Sequence, residues 1–280
     1  MPTPHIDALI DLAFAEDIGV GDVTTEALIP PTVTATGALI ARSPLTLCGI
    51  PLAERLLWRY GPGAPAVRWT VADGAQVEGG TVVGHLEGPL DHVLVVERPL
   101  LNFMQRMSAV ATLTRRYVEA VQGTSAQVVC TRKTLPGWRA LDKYAVRIGG
   151  GRNHRGALDS GILIKDNHLA AAGGIAVAVE QARARAPHPL RIEIEVEDLQ
   201  GLEVALEAGA DVVLIDNFTP EQAAEAVAQA RGRALIEASG GVDLSTVAAF
   251  ARAGVDLIAI GALTHSATAV DLSLEVLADE

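Results

Sequence analysis

From residue 128 onward the chain alternates short apolar runs with segments of helical pattern, and each run stops at a polar, charged or glycine residue. The runs cover 128–130, 162–164, 192–194, 212–215, 234–236 and 257–260. Helix punctuation fills the gaps. Thr219-Pro220-Glu221-Gln222 reads as an N-cap, a first-turn proline and a capping-box partner. Gly209, Gly232 and Gly254 stand where C-caps belong. A weak internal repeat, Ala208-Gly209-Ala210-Asp211 and Ala253-Gly254-Val255-Asp256, precedes two of the runs. Strands and helices at this spacing predict βαβ units around a parallel sheet.

The run ends carry Thr131-Arg132-Lys133, Lys165, Glu195, Asp216, Ser239-Gly240-Gly241 and Gly261. In a (β/α) barrel such ends converge on one face, where sites are built. A doubly wound sheet would also bind ligands at strand ends, but no Gly-x-Gly-x-x-Gly follows a first strand here. The earlier part has a different rhythm. A helix is expected over 7–16, and short strands over 35–41 and 67–86 with turns at Asp73-Gly74 and Gly79-Gly80. One long helix or two is expected over 94–121. The expected architecture is therefore a (β/α) barrel with an α+β domain packed beside it.

Charge narrows the function. The chain has 22 Lys+Arg against 34 Asp+Glu. Yet residues 132–165 hold Arg132, Lys133, Arg139, Lys143, Arg147, Arg152, Arg155 and Lys165 against only Asp142 and Asp159. Cations gathered in one glycine-rich window of an acidic protein suit a small pocket for a polyanion. A nucleic-acid surface would show a basic domain instead. Arg139, Lys143 and Arg147 have the spacing of a solvated helix face, whereas Arg132 and Lys133 stand at a strand end. Glu195 and Asp216 end successive runs and suit a Mg-diphosphate or ribose hydroxyls, with water-facing loop acids as the alternative. Ser239-Gly240-Gly241 offers backbone N–H groups before a helix, a phosphate cradle or an ordinary turn. His168 and His265 read as hydrogen-bonded structural imidazoles. No apolar run reaches the roughly 18 residues of a membrane span. The N-terminus shows no export signal, and Cys48 and Cys130 make neither a disulfide framework nor a metal cluster. A cytoplasmic protein is expected.

The chain resembles the quinolinate phosphoribosyltransferase family nearly end to end. The resemblance rests on Glu16-Asp17-Ile18-Gly19-Val20-Gly21-Asp22-Val23-Thr24-Thr25, Glu97-Arg98 with Leu101-Asn102-Phe103, Ser108 with Ala111-Thr112, and Thr131-Arg132-Lys133-Thr134 with Pro136-Gly137. It continues through Gly149-Gly150-Gly151-Arg152-Asn153-His154-Arg155, Lys165-Asp166-Asn167-His168, Glu195-Val196-Glu197 and Asp216-Asn217. It ends in Glu237-Ala238-Ser239-Gly240-Gly241 and Gly261-Ala262-Leu263-Thr264-His265-Ser266. The resemblance implies the α/β fold class, with an N-terminal α/β sandwich domain over 1–108, an incomplete (β/α) catalytic barrel over 109–268 and a tail over 269–280 returning to the first domain. It implies a homodimer with shared active sites, on which a higher oligomer can be built. It implies that quinolinate and phosphoribosyl pyrophosphate (PRPP) give nicotinate mononucleotide, pyrophosphate and carbon dioxide, a step toward NAD. Mg²⁺ would enter with PRPP, and no organic cofactor is needed.

By the same resemblance Arg98 of the neighbouring subunit, Arg132, His154 and Arg155 hold quinolinate. Lys133 and Lys165 lie between it and the phosphoribosyl group, and Thr131, Gly261 and Ala262 complete the binding set with Ser239, Gly240 and Gly241. Lys133, Glu195 and Asp216 are the catalytic candidates, the two acids also serving the metal, directly or through PRPP. Three positions depart from the family pattern: Cys130 where Asp or another small polar residue is usual, Ala109 in place of Gly, and Pro99 in place of Thr. The nearest rivals are the ModD-like paralogues, whose Lys-Asp-Asn-His counterpart is expected to be altered, another phosphate-binding barrel enzyme, and a non-catalytic anion-binding module.

Overall fold

The computed structural model describes residues 3–277, which divide into two compact units that do not follow chain order. The first takes the described residues up to Leu113, then Leu135–Gly149, then the stretch from Ala267. The second takes Thr114–Thr134 and Gly150–Ser266.

In chain order the first unit begins with α1 (Thr3–Ile18), α2 (Val23–Leu28), β1 (Thr34–Ala41), β2 (Leu45–Thr46) and α3 (Ile50–Tyr60). It continues through β3 (Ala66–Trp69), β4 (Gln76–Val77), β5 (Val82–Pro89) and α4 (Leu90–Ala120), whose last turns belong to the second unit. Here α5 (Arg139–Ile148) and the last strand, β12 (Leu272–Leu277), also belong to the first unit. An antiparallel sheet in the order β12-β1-β5-β3 forms its centre, with β2 and β4 as a separate pair. Leu39, Leu52, Leu56, Leu86, Leu100, Met104 and Leu141 are fully buried in this unit.

Two features here were not expected. Helix α3 has Pro51 in its first turn and buries Leu52, Ala53, Leu56 and Leu57, a spacing of one helical face. Its N-cap, Gly49, has no side chain, and Asp73 supplies the missing acceptor, taking the N–H of Gly49 at 3.0 Å and of Ile50 at 2.9 Å. The Asp73-Gly74 turn is thus a cap for a distant helix start. Of the three cations expected on a solvated face, Lys143 is instead buried, at 8% exposure, on a helix that belongs to the first unit. The long helix expected over 94–121 is one element, and Pro99 is accommodated inside it.

The second unit holds β6 (Gln127–Val129), β7 (Ile162–Ile164), α6 (Asp166–Ala172), α7 (Ile175–Arg185), β8 (Ile192–Val196), α8 (Leu199–Glu207), β9 (Val212–Asp216), α9 (Pro220–Ala230), β10 (Leu235–Ser239), α10 (Val247–Ala253), β11 (Leu257–Ala259) and α11 (Ala262–His265). The six strands coincide with the six apolar runs and form one parallel sheet, order β6-β11-β10-β9-β8-β7. Each strand from β7 pairs with its successor, and β11 returns to pair with β6. Six strands in this cyclic order make an incomplete (β/α) barrel with β6 and β7 at its edges. A bridge from Val129 to Arg152 lays the glycine-rich stretch along the free edge of β6.

The caps follow the sequence with one adjustment. Thr219 and Gln222 form the capping box of α9. Gly254 is the left-handed C-cap of α10. Gly209 and Gly232 lie one residue beyond their caps, Ala208 and Arg231, and Arg231 itself takes the left-handed conformation at φ 49°. The internal repeat has a physical role. Asp211 Oδ2 accepts the N–H of Ile192 at 2.7 Å, and Asp256 Oδ2 accepts that of Ile236 at 2.9 Å. Each Asp precedes one strand and caps the start of its neighbour. Asp256→Ala is expected to lose a charge-assisted bond and leave a half-buried donor, a destabilisation of about 1.5–3 kcal/mol. Denaturant titration of the variant beside wild type measures it; a loss under about 0.5 kcal/mol, the level of an ordinary surface change, would show the cap to be idle.

Candidate active site

Because all six strands run parallel, their C-terminal ends lie on one face, and the side chains there come from separate elements. Thr131, Arg132 and Lys133 follow β6, Lys165 follows β7, Glu195 lies near the end of β8, Asp216 ends β9 and Ser239 ends β10. Gly261 and Ala262 connect β11 to α11. The sequence Ile-Glu-Ile-Glu-Val puts Glu193 and Glu195 on the same side of β8, while Ile192 and Ile194 are fully buried on the other.

The strand ends are held tightly. Lys133 N donates to Thr131 Oγ1 at 3.1 Å, and its carbonyl accepts from the buried Thr264 hydroxyl at 2.8 Å. Gly261 leaves room for Lys133: a Cβ there would come within 3.3 Å of Lys133 Cδ and 2.9 Å of His265 Nε2. At Gly240, φ is +87° and a Cβ would meet Asn217 N at 2.8 Å, so the chain needs glycine at this turn. Asn217, also left-handed at φ 58°, donates its N–H to Ser239 O and its side-chain amide to Asp216 Oδ2 at 2.7 Å. These contacts place Asp216 against the Ser239-Gly240-Gly241 turn.

The charges on this face are coupled. Lys165 Nζ is ion-paired with Glu195 Oε2. Burial, and then the charge of Glu195, raise the Asp216 carboxyl above its ordinary range, while Lys165 and Lys133 pull it back. Asp216 beside Glu195 suits a cation or hydroxyl donors, and the neighbouring lysines suit the anion such a cation would accompany.

His154 and Arg155 sit lower. With Val129, Arg152, Glu193 and Glu237 they line a cavity of about 430 Å³ that also touches Gln127, Val212, Leu235 and Leu257, the first residues of their strands. Burial, then the charge of Arg132, lower Arg155 from its usual value, and Glu193 opposes this. Arg132 and Arg155 are therefore near enough to repel. Cys130, the departure beside the Thr-Arg-Lys motif, is buried, and its thiol donates to Asn153 Oδ1 at 3.4 Å. A thiol in this place ties the glycine-rich stretch to β6 without adding charge.

Of the expected site residues, the second unit brings together every one but Arg98, which lies on α4 in the first unit. Its guanidinium is 3.8 Å from Glu97 and more than half exposed. His168 and His265 are exposed and hydrogen-bonded: His168 Nδ1 accepts from Lys165 N at 3.0 Å, and His265 Nδ1 bonds Ser266 Oγ at 2.7 Å. The sequence reading missed Glu193, Glu237 and Asn217 as site residues. Glu193 was signalled by its two-residue spacing from Glu195, and Glu237 by directly following the apolar run 234–236.

Comparison with known proteins fits this arrangement. Residues 22–108 match the family model described as quinolinate phosphoribosyl transferase, N-terminal domain, and residues 110–275 match its C-terminal domain. The nicotinate-nucleotide pyrophosphorylase (carboxylating) of Mycobacterium leprae is 41% identical over 269 residues, covering 94% of both chains. A quinolinate phosphoribosyltransferase (decarboxylating) of Nicotiana glauca is 37% identical over 294 residues, covering 98% of this chain and 83% of that one. The solved nicotinate-nucleotide pyrophosphorylase of Francisella tularensis superposes with a TM-score of 0.94 at 37% identity, covering 99% of this chain and 98% of the other. Two consecutive domain models in order, relatives matched nearly end to end and the charged strand-end face lead to one assignment: the chain belongs to the quinolinate phosphoribosyltransferase family.

Proposed function

We propose that the chain transfers the phosphoribosyl group of PRPP to the ring nitrogen of quinolinate and releases carbon dioxide, forming nicotinate mononucleotide, an NAD precursor, and pyrophosphate. The observation that carries this reading is the set of cations Arg132, Lys133 and Lys165 at the strand ends with Arg155 close enough to Arg132 to feel its charge, which suits a substrate with two adjacent carboxylates. Forked guanidinium groups match carboxylates in pairs. Lys133 and Lys165 lie at strand ends above, where the phosphoribosyl group belongs. The intact Lys165-Asp166-Asn167-His168 motif favours this reaction over that of the ModD-like paralogues.

The chemistry follows from bringing two anions together that repel in water. The pyridine nitrogen attacks ribose C1 as pyrophosphate leaves, with charge developing on the departing oxygens and on the ribose ring. Lys133 and Lys165 stabilise the first, and Glu195 and Asp216 face the second. Ribosylation makes the pyridine nitrogen cationic, so it stabilises the electron pair left on ring C2 when the 2-carboxylate departs as carbon dioxide, and a proton from water then bonds to C2. Glu195 and Asp216 would hold Mg²⁺, directly or through the diphosphate of PRPP, and the ion would supply charge neutralisation at the leaving group.

Arg98 is assigned to the partner's site in a homodimer, where its exposed guanidinium would fork onto a quinolinate carboxylate. No helix among the described residues is long and apolar enough to cross a membrane. Both cysteines are free and buried, which suits a reducing, cytoplasmic setting.

Calorimetry on the acid pair tests the division of labour. Glu195→Gln and Asp216→Asn should each weaken PRPP binding and its divalent-metal dependence by about 100-fold, the value of one removed charge interaction of ~2–3 kcal/mol. Quinolinate binding should change by less than about threefold. Lost quinolinate binding with intact PRPP binding would reverse the assigned roles.

A further inference from the structure

Beneath the Glu195–Asp216 pair lies a second, buried acidic layer. Glu193 on β8 is 7% exposed and Glu237 on β10 is 1% exposed. Barrel interiors at this depth are ordinarily filled by branched apolar side chains. With His154 the two acids form a cluster whose facing atoms all lie within 4.8 Å of one another. His154 Nε2 is 2.9 Å from Glu193 Oε2 and 3.6 Å from Glu237 Oε1. Neither Glu193 Oε1 nor Glu237 Oε1 has a hydrogen-bond partner.

A histidine and two glutamates invite a cation, but the imidazole argues otherwise. The backbone N–H of Arg155 donates to His154 Nδ1 at 2.8 Å. A backbone N–H only donates, so Nδ1 carries the lone pair and the ring proton is on Nε2. Nε2–H then donates to Glu193. Both nitrogens are committed, and a metal at Nε2 would need the lone pair that the Arg155 contact requires at Nδ1. Burial, then the charge of Glu193, push Glu237 well above the carboxylate range, with Lys165 opposing. Glu193 Oε2, at 2.9 Å, is within hydrogen-bond distance of Nε2, and Glu237 Oε1, at 3.6 Å, is not.

The chain of contacts therefore runs from β8 through one imidazole to the backbone of Arg155, whose Nη1 also donates to Gly161 O at 3.0 Å. We propose that Glu193 is a positioning residue for acid-substrate binding, acting through His154 to lock the backbone that carries Arg155. The inference rests on the reading of Arg155 as a quinolinate ligand.

Two measurements decide it. In ¹⁵N-histidine-labelled protein at neutral pH, with the His154 signals identified by their loss in His154→Gln, His154 should show a proton on Nε2 and an accepting Nδ1. A proton on Nδ1 overturns the inference. In kinetics, Glu193→Ala should raise the KM for quinolinate about tenfold or more, as expected when a binding group is displaced, and change the KM for PRPP by less than about twofold. Glu193→Gln keeps an oxygen for Nε2–H and should restore the quinolinate KM to within about threefold of wild type. Equal damage from Ala and Gln, or equal rises in both KM values, would contradict positioning. If Glu193→Ala does not fold, the Gln variant and the tautomer measurement still decide. Wild-type protein inactive on quinolinate would overturn the functional reading instead, and the tautomer result would stand apart from it.

Discussion

Nicotinate should be turned over at least about 100-fold less efficiently than quinolinate, although it differs by a single carboxylate. Burial, then the charge of Arg132, lower Arg155 from its usual value, so the two guanidinium groups are near enough to repel. Removing one partner of a buried ion pair costs on the order of 3–5 kcal/mol, because the remaining charge stays desolvated. Both guanidinium groups are half-buried rather than buried, so the low end applies. About 3 kcal/mol corresponds to roughly two powers of ten in kcat/KM. Nicotinate also lacks the carboxylate whose departure completes the reaction, so any product it forms must appear without carbon dioxide. Steady-state kinetics with the two acids under one PRPP concentration gives the ratio directly. Values of kcat/KM within a few-fold of each other would remove the dicarboxylate from the account.

The second large effect concerns Arg98. Arg98→Ala and Lys133→Ala homodimers should each be nearly inactive, yet mixing the two should restore activity. In a mixed dimer with shared sites, one composite site collects both mutations and the other collects neither. Random subunit exchange between equal amounts makes half the dimers mixed, so about one quarter of wild-type activity returns. An Arg98 that served its own subunit would leave every mixed dimer with two broken sites. The competing role is the ion pair with Glu97, at 3.8 Å and largely exposed, which contributes little to stability. Native mass spectrometry verifies exchange before the assay. Exchange without recovery would reject the shared site.

Much of the second unit was legible because each of its signals is local. Apolar runs bounded by charged or glycine residues marked all six strands, and a parallel sheet then forces their ends onto one face. Thr219 and Gln222 announced a helix start because a capping box is four residues long. The features that escaped depend on distant partners. Helix α3 starts at a glycine with no cap of its own, and its acceptor, Asp73, stands 24 residues on from that glycine. Lys143 has the spacing of a solvated helix face but is buried, a matter of what packs over it rather than of its own segment. The site shows the same division. Lys133, Lys165, Glu195 and Asp216 were visible as run ends. Glu237 directly follows the run 234–236, and its significance comes from Glu193 and His154, which other elements deliver. The repeated Asp211 and Asp256 were noticed as a pattern, but their role as caps on neighbouring strands needs the sheet order.

The central claim is that one site joins ribosylation to decarboxylation, and carboxyl-labelled quinolinate tests it most directly. With the 2-carboxylate labelled, labelled carbon dioxide should be released only when PRPP and Mg²⁺ are both present, in step with nicotinate mononucleotide, one for one. Carbon dioxide released without PRPP, or a mononucleotide that keeps the label, would contradict it.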